Sequence, residues 1–301
     1  MQFRLLDEKD LESVAKFLND IFTYDKMTVP LLREKTFGDD AYRSEMTWVV
    51  EDRDRILAFM QGVVRKNEGE LFGSIKLFGV APGYRRQGMA TELLTRVESA
   101  MRNAGVKKLG LLASYVNYFQ PGIDPRYTEA VVFAERRGFK FIEETENMDV
   151  DLIHQTFETE AQEKLLAKEN FFFRRARPGD RSKILAWAQK SFPSWVGEIE
   201  STFKNDPISL HISLQGEEVV AFSCYDANNK GTGWFGPIGT DPICRGKGIG
   251  GILLRRCLND LKKQGQPIAV IPWIGPYAFY LHYANAHISR VFWQYEKDLT
   301  A

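Results

Sequence analysis

Apolar positions in residues 3–18, FRLLDEKDLESVAKFL, describe a short strand, a polar turn and a helix whose Val14, Phe17 and Leu18 share one face. The pattern returns at 173–188, FRRARPGDRSKILAWA. Phe3 aligns there with Phe173, Arg4 with Arg174 and Asp10 with Asp180, and Ile184, Trp187 and Ala188 repeat the apolar face. Asp10 and Asp180 are expected as N-caps, each accepting an orphan backbone N–H at its helix start. Behind each helix the spacing predicts a two-stranded meander, at 47–51 and 55–65 and again at 208–214 and 217–225. An apolar strand follows (71–81 or 232–239), then a glycine-bearing loop and a long helix (near 87–104 or 247–264) closed by Gly105 or Gly265. A further strand (107–113 or 267–273), a short helix and a last strand complete each pass.

The loops repeat more sharply than the helices. Residues 79–90 read GVAPGYRRQGMA and 239–250 read GTDPICRGKGIG, both Gly-x-x-Pro-x-x-Arg-x-x-Gly-x-Gly/Ala, at an offset of 245 − 85 = 160. Two landmarks in the same order imply duplication of one unit. The expected fold class is therefore α/β, a mixed sheet with helices, in two tandem domains. The expected domains are 1–152 and 170–301, joined by a linker helix within 153–169, where QTFETEAQEKLLAK is polar with helical spacing.

A strand that turns through Arg-x-x-Gly-x-Gly into a helix builds an anion site. The first-turn N–H groups have no intrahelical partner, and the helix dipole adds positive potential. Glycine lets a diphosphate approach the backbone, while Arg245, Lys247, Arg85 and Arg86 supply countercharge. The P-loop pattern fails, because Gly246-Lys247 is followed by Gly248 and position 241 is Asp241. Gly246, Gly248 and Gly251 satisfy Gly-x-Gly-x-x-Gly. No acidic residue follows about 20 positions on, however, where a dinucleotide fold needs one for its ribose.

In these loops and their flanks the chain resembles the GCN5-related N-acetyltransferase (GNAT) family. GVAPGYRRQGMATELL and IGTDPICRGKGIGGILL resemble its acetyl-CoA diphosphate loop. AVVFAERRGF (130–139) and PYAFYLHYANAHI (276–288) resemble its final helix, Phe-Tyr-Glu-Lys-x-Gly-Phe. The resemblance implies that the strand before the loop splays from its neighbour and that the pantetheine arm pairs in the gap. It implies acetyl-CoA as cofactor. The implied contacts are Ile238, Gly239, Thr240, Arg245, Gly246, Lys247, Gly248, Ile249 and Gly250 in one unit, and Val80, Arg85, Arg86, Gln87, Gly88, Met89 and Ala90 in the other. It also places a tyrosine on the final helix as acid for the leaving thiolate. That position is Tyr280 in the second unit, with Tyr283 as a competitor, but Ala134 in the first. The second unit is then the catalytic one and the first a degenerate copy. The family's final-helix glycine is replaced by Asn285 or Ala286, and its preceding Asn by Gly275-Pro276.

No general base is legible. Asp226, Glu198 and Asp124 are candidate acceptor contacts; Asp226 and Glu198 read more simply as solvated surface carboxylates, and Asp124 as part of an interdomain loop. The stretch 115–124, YVNYFQPGID, reads as a rim to the acceptor or as a loop packed by its own aromatics. The four histidines show no metal-ligand spacing. Cys224, Cys244 and Cys257 are odd in number and fit neither a disulfide framework nor a zinc site, so a reduced, cytoplasmic protein is expected, with no metal. Cys244 beside Arg245 could be a reactive thiol or a small apolar turn residue.

Composition narrows the partner. Lys+Arg and Asp+Glu are 40 each, so bulk charge selects neither nucleic acid nor a membrane surface. A small-molecule amine is the expected acceptor, acetylated by a monomer or homodimer. PGID, FGPIG and IGPYAFY resemble the glucosamine-acetylating type within the family, and Trp195, Trp234 and Trp273 could stack on sugar rings or simply pack. Other amines (an aminoglycoside, polyamine, amino acid or peptide N-terminus), a non-catalytic acyl-CoA sensor and a nucleotide-binding protein are the competing readings.

Overall fold

The computed structural model describes residues 1–67, 69–114 and 116–300. In chain order the elements are β1 (Gln2–Leu5), α1 (Leu11–Ile21), α2 (Val29–Lys35), β2 (Thr47–Asp52), β3 (Arg55–Asn67), β4 (Glu70–Val80), α3 (Met89–Asn103), β5 (Lys108–Leu111), α4 (Thr128–Arg136) and β6 (Lys140–Asp151). They continue with α5 (Glu160–Ala167), β7 (Phe171–Arg175), α6 (Arg181–Ser191), α7 (Val196–Thr202), β8 (Leu210–Gln215), β9 (Glu218–Tyr225), β10 (Phe235–Thr240), α8 (Ile249–Lys263), β11 (Ile268–Ile271), α9 (Tyr277–Ala284) and β12 (His287–Asp298). The chain divides into two compact units. One is Met1–Thr145 together with the chain from Val291 onward; the other is Glu146–Arg290. Both β6 and β12 therefore begin in one unit and end in the other.

In the first unit, β1, β2, β3 and β4 pair antiparallel in that order, and β4 pairs parallel with β5. The far end of β12 lies antiparallel on β5, Tyr295 opposite Leu111. α1 places Leu11, Val14, Phe17 and Leu18 at helical spacing against Val49, Phe59 and Leu77. α3 buries Leu93, Leu94, Val97 and Met101 against Val50, Met60 and Ile75. Consecutive positions of one strand thus serve opposite faces, as the pleat requires.

The second unit repeats this plan. β7, β8, β9 and β10 pair antiparallel, and β11 pairs with the second half of β6. α6 packs Ile184 and Ala188 on Leu210, Ile212 and Phe222. α8 packs Leu254, Cys257, Leu258 and Leu261 around Phe235, Ala269 and Ile271. Asp260 of α8 ties the helix to the sheet, taking hydrogen bonds from Arg175 and sharing one with His211 Nε2, each at 2.6 Å. α5 buries Leu166 among Phe171, Val220 and Ile249, so it belongs to the packing of this unit.

The duplication extends to side chains, with one revision. Arg4 donates to Asp10 at 2.6 and 2.9 Å, and Arg174 donates to Asp180 at the same two distances. Each carboxylate also accepts a backbone N–H from three residues upstream, Asp7 or Arg177. Asp10 and Asp180 therefore do not cap α1 and α6. A bidentate, charge-assisted pair outcompetes a single cap bond.

Candidate active site

β10 runs into a 3₁₀ turn at Pro242–Cys244 and then through Arg245-Gly246-Lys247-Gly248 into α8. Arg245 Nε donates back to Thr240 O at 3.2 Å, which pins the loop to the strand end. Gly246 and Gly248 adopt φ of 81° and 82°, a region that penalises any Cβ, and a side chain at Gly246 would meet nothing within 4 Å. The first amide beyond the loop to find a backbone acceptor is that of Ile252, on Gly248 O at 3.2 Å. The preceding N–H groups, through Ile249 and Gly250, are left for a ligand at the positive end of a helix that runs to Lys263. A bare, open cradle of amides fits a diphosphate.

The first unit builds the same loop. Arg85 Nε donates to Val80 O at 3.2 Å, Arg86 and Gly88 take φ of 64° and 86°, and Glu92 N is the first to bond back, to Gly88 O. Gln87, Met89 and Ala90 complete this loop and the first turn of α3. Arg86 holds a left-handed conformation where the second unit has glycine, a strain of about 1 kcal/mol. Arg85 is also paired with Glu129 at 2.7 Å.

In both units the strand that feeds the loop parts from its parallel neighbour. β4 and β5 pair only as far as Ile75 and Leu111, leaving the rest of β4 open on that edge. β10 meets β11 only through a bridge between Trp234 and Val270, so Ile238, Gly239 and Thr240 pair with β9 on one side only. Each strand carries a bulge near the parting. In β4, Leu77 faces Gln61 and Ile75 faces Gly62, so Lys76 is the extra residue. In β10 the bulge falls between Phe235 and Ile238.

Glycines let neighbours close over these strands. A Cβ on Gly239 would come within 2.7 Å of Phe222 and 2.9 Å of Phe192, and one on Gly79 within 2.2 Å of Ile21. Phe192 in turn stacks on Trp195, with ring centroids 5.4 Å apart.

The two tyrosines of α9 take different places. Tyr283 lies over α8. A Cβ on Gly251 would sit 2.2 Å from its ring, and one on Gly248 would sit 3.6 Å from its hydroxyl. Tyr280 is buried, packed edge-on to Phe235, the residue before the β10 bulge, at 6.3 Å. Burial pushes its phenol pKa up, and no described side chain shares its hydroxyl. One helical turn thus carries Tyr283 beside the loop and Tyr280 beside the bulge.

The final helices of the two units close in a similar way. Asn285 (φ 46°) takes the left-handed position of Gly138 (φ 83°). The next residue donates back to Tyr280 O in one unit and to Ala134 O in the other. These bonds pair Tyr280 with Ala134 (280 − 134 = 146), whereas the left-handed residues pair one position later (285 − 138 = 147), which sets Tyr280 against Phe133; the first unit has no tyrosine at either place.

Of the candidate carboxylates, Asp226 holds a turn, accepting from Gly231 N at 2.9 Å and Gln264 Nε2 at 3.2 Å. Asp124 is buried and paired with Arg126 at 2.5 Å. Glu198 lies in the first turn of α7. In the 115–124 stretch, Tyr115 lies outside the described residues, while Tyr118, Phe119 and Ile123 are buried. All three cysteines are free and buried, and burial raises the Cys244 thiol pKa, which removes it as a reactive thiol. Among the described residues no three His, Cys, Asp or Glu gather as a metal site, and no helix is long and apolar enough to cross a membrane.

Comparison with known proteins agrees with this geometry. The sequence profile of the acetyltransferase (GNAT) family matches twice, over residues 11–121 and 167–274. The fold is similar to a GCN5-related glucosamine N-acetyltransferase region of a fungal multi-domain GH3 β-N-acetylglucosaminidase (TM-score 0.81, 19% identity); the match covers 98% of this chain and 38% of that one. It is also similar to a GCN5-related N-acetyltransferase from Sphaerobacter thermophilus (TM-score 0.72, 16% identity, 99% and 95% covered). A tandem GNAT protein from the clavulanic acid biosynthesis pathway shares the two-unit plan (TM-score 0.65, 12% identity, 99% and 98% covered). A search of curated proteins found no match. With both family matches falling on the two loop-bearing units, the chain belongs to the GNAT family, as a tandem member and an acetyl-CoA-dependent acetyltransferase.

Proposed function

We propose that the second unit transfers acetyl from acetyl-CoA to the primary amine of a small molecule, an amino sugar being the acceptor class, with Tyr280 as the acid. One observation carries the reading: loop, open strand edge and Tyr280 follow one another along β10. The amides from Gly246 to Gly250 would hold the diphosphate, and the free edge at Ile238–Thr240 would pair with the pantetheine arm. N–H groups on that edge would face the acyl oxygen as negative charge develops. Tyr280 lies at the far end of this path, and its raised pKa keeps it protonated at neutral pH, ready to donate to the departing thiolate. Tyr283, a turn away beside the phosphate loop, would contact the coenzyme instead. No carboxylate is assigned as base, since Asp226 and Asp124 are already engaged.

The first unit keeps the loop but has Ala134 or Phe133 in place of the acid, and we read it as a coenzyme-binding unit without transfer to an external amine. The amino-sugar class draws support from the fungal neighbour's glucosamine-acetylating region and from the aromatic cluster of Phe192, Trp195 and Phe222. The free cysteines suit the reducing cytoplasm. Thiol release measured across amino sugars, aminoglycosides, polyamines and amino acids is the test, with turnover expected on a sugar amine. Tyr280→Phe is expected to lower kcat at least about tenfold with little change in acetyl-CoA affinity. No turnover with any amine, despite coenzyme binding, would favour an acyl-CoA sensor.

A further inference from the structure

Lys76 is the bulged residue of β4, the first position beyond the end of the β4–β5 pairing. Its side chain is fully buried. Its amine donates to Lys35 O at 2.9 Å and contacts the Asp39 carboxylate, which also accepts from Arg65 at 2.6 and 2.8 Å. Lys35 is buried alongside and pairs with Glu34 and Asn117, each at 2.7 Å. Within this cluster three cations face the carboxylates of Asp39 and Glu34, and Lys76 shares Asp39 with Arg65. Burial therefore depresses its pKa to about 7, with Lys35 and Arg65 pushing the same way and Asp39 opposing. Gln61, whose Nε2 donates to the same Lys35 carbonyl, has a buried Oε1 with no partner, and the buried Arg65 Nε also lacks one. Buried polar groups are nearly always hydrogen-bonded, so two without a partner beside one amine call for a strained, catalytic or solvated role.

The second unit shows what the position does without a lysine. With the strand ends aligned, Lys76 corresponds to Gly236 (236 − 76 = 160), which takes φ of 116° and has open space where a Cβ would point. The unit read as transferring to an external amine is thus open at the bulge. The other unit fills it with an amine of its own, hydrogen-bonded to a carboxylate.

We propose that Lys76 is an internal acetyl acceptor. This rests on the reading that the first unit's loop holds acetyl-CoA, whose thioester would then lie along the open edge of β4. The neutral amine attacks the thioester carbonyl carbon, a C–N bond forms and the C–S bond breaks. The proton lost by the amine passes to Asp39 and on to solvent, coenzyme A departs as thiolate and takes a proton from water, and Nε-acetyl-Lys76 remains. Asp39 stays paired with Arg65 afterwards, so loss of the Lys76 charge strands no carboxylate.

The test is peptide mapping by mass spectrometry after incubating the full chain with acetyl-CoA. Acetyl-Lys76 is expected, forming about tenfold faster at pH 8 than at pH 6, as the neutral fraction of an amine with pKa near 7 requires. Gly88→Val, which spoils the first loop, is expected to abolish it, whereas Gly248→Val in the second loop leaves it intact. Acetylation that persists in Gly88→Val is adventitious chemistry and overturns the proposal. So does an unmodified Lys76 in a Gly248→Val chain that still binds coenzyme A by calorimetry. A Gly248→Val chain that binds no coenzyme overturns the reading of the first loop, and the proposal with it.

Discussion

Gly251→Ala tests the placement of α9 with a single methyl group. The added Cβ would lie 2.2 Å from the Tyr283 ring, against the roughly 3.5–4.0 Å of an ordinary carbon contact. The ring must retreat by about 1.5 Å. It cannot do so alone, because it also contacts Phe279 at 5.1 Å between centroids, and Phe279 packs on Tyr280 at the same distance. Overpacking of this kind costs about 1–3 kcal/mol. A displacement near 1 Å at a catalytic group lowers rates by about a hundredfold. Steady-state kinetics on the second unit's amine substrate should therefore show kcat/KM falling between ten- and a hundredfold, with a lower Tm by thermal denaturation. Gly179→Ala is the control: it has open space and ordinary φ, and its stability should change by less than about 0.5 kcal/mol. The equivalent residue of the first unit is Thr91 (251 − 160), so the tight contact belongs to one loop only. Wild-type kinetics and Tm in Gly251→Ala would refute the packing of α9 on α8 as the positioning device.

Two other outcomes follow from the same geometry. Tyr283→Phe keeps the ring on Gly251 but loses the hydroxyl beside Gly248, so it should weaken use of acetyl-CoA several-fold while leaving acetyl-pantetheine, which lacks the diphosphate, unchanged; equal loss with both donors would contradict the placement. Lys76 has a folded pKa near 7 against 10.5 unfolded, so between those values the unfolded chain binds the extra proton and stability rises with pH, by up to about 1.4 kcal/mol per unit. Below pH 7 both states are protonated and this contribution levels off. Urea titrations at pH 7 and 9 should show the gain, and Lys76→Met should flatten it.

The duplication and the loops were legible because they rest on local rules. Glycine at positive φ and a helix start with bare amides leave marks at fixed spacing, and both loops adopt the conformation that spacing implies. The roles of Asp10 and Asp180 were not, because a cap and an ion pair use the same carboxylate and only the position of Arg4 or Arg174 in space decides between them. Gly251 read as part of a dinucleotide motif, yet it is there to admit Tyr283. Lys76 gave no signal, since a lysine in a strand ordinarily reads as a solvated charge and its burial follows from α2 folding over β4. The short helices α2 and α7 also escaped notice, each being only seven residues long and lacking a full amphipathic repeat. The pairing of β12 with β5 joins Tyr295 to Leu111, 184 positions apart (295 − 111), a contact that no local pattern encodes.

The amides at the start of α8 are the element on which coenzyme binding, and with it acetyl transfer, depends. A crystal structure of the chain with acetyl-CoA tests this most directly. The diphosphate should lie within hydrogen-bond distance of the Gly246–Gly250 amides, with the pantetheine along the open edge of β10 and the thioester sulfur next to Tyr280. Coenzyme bound elsewhere, or a thioester that ends away from the β10 bulge, would contradict it.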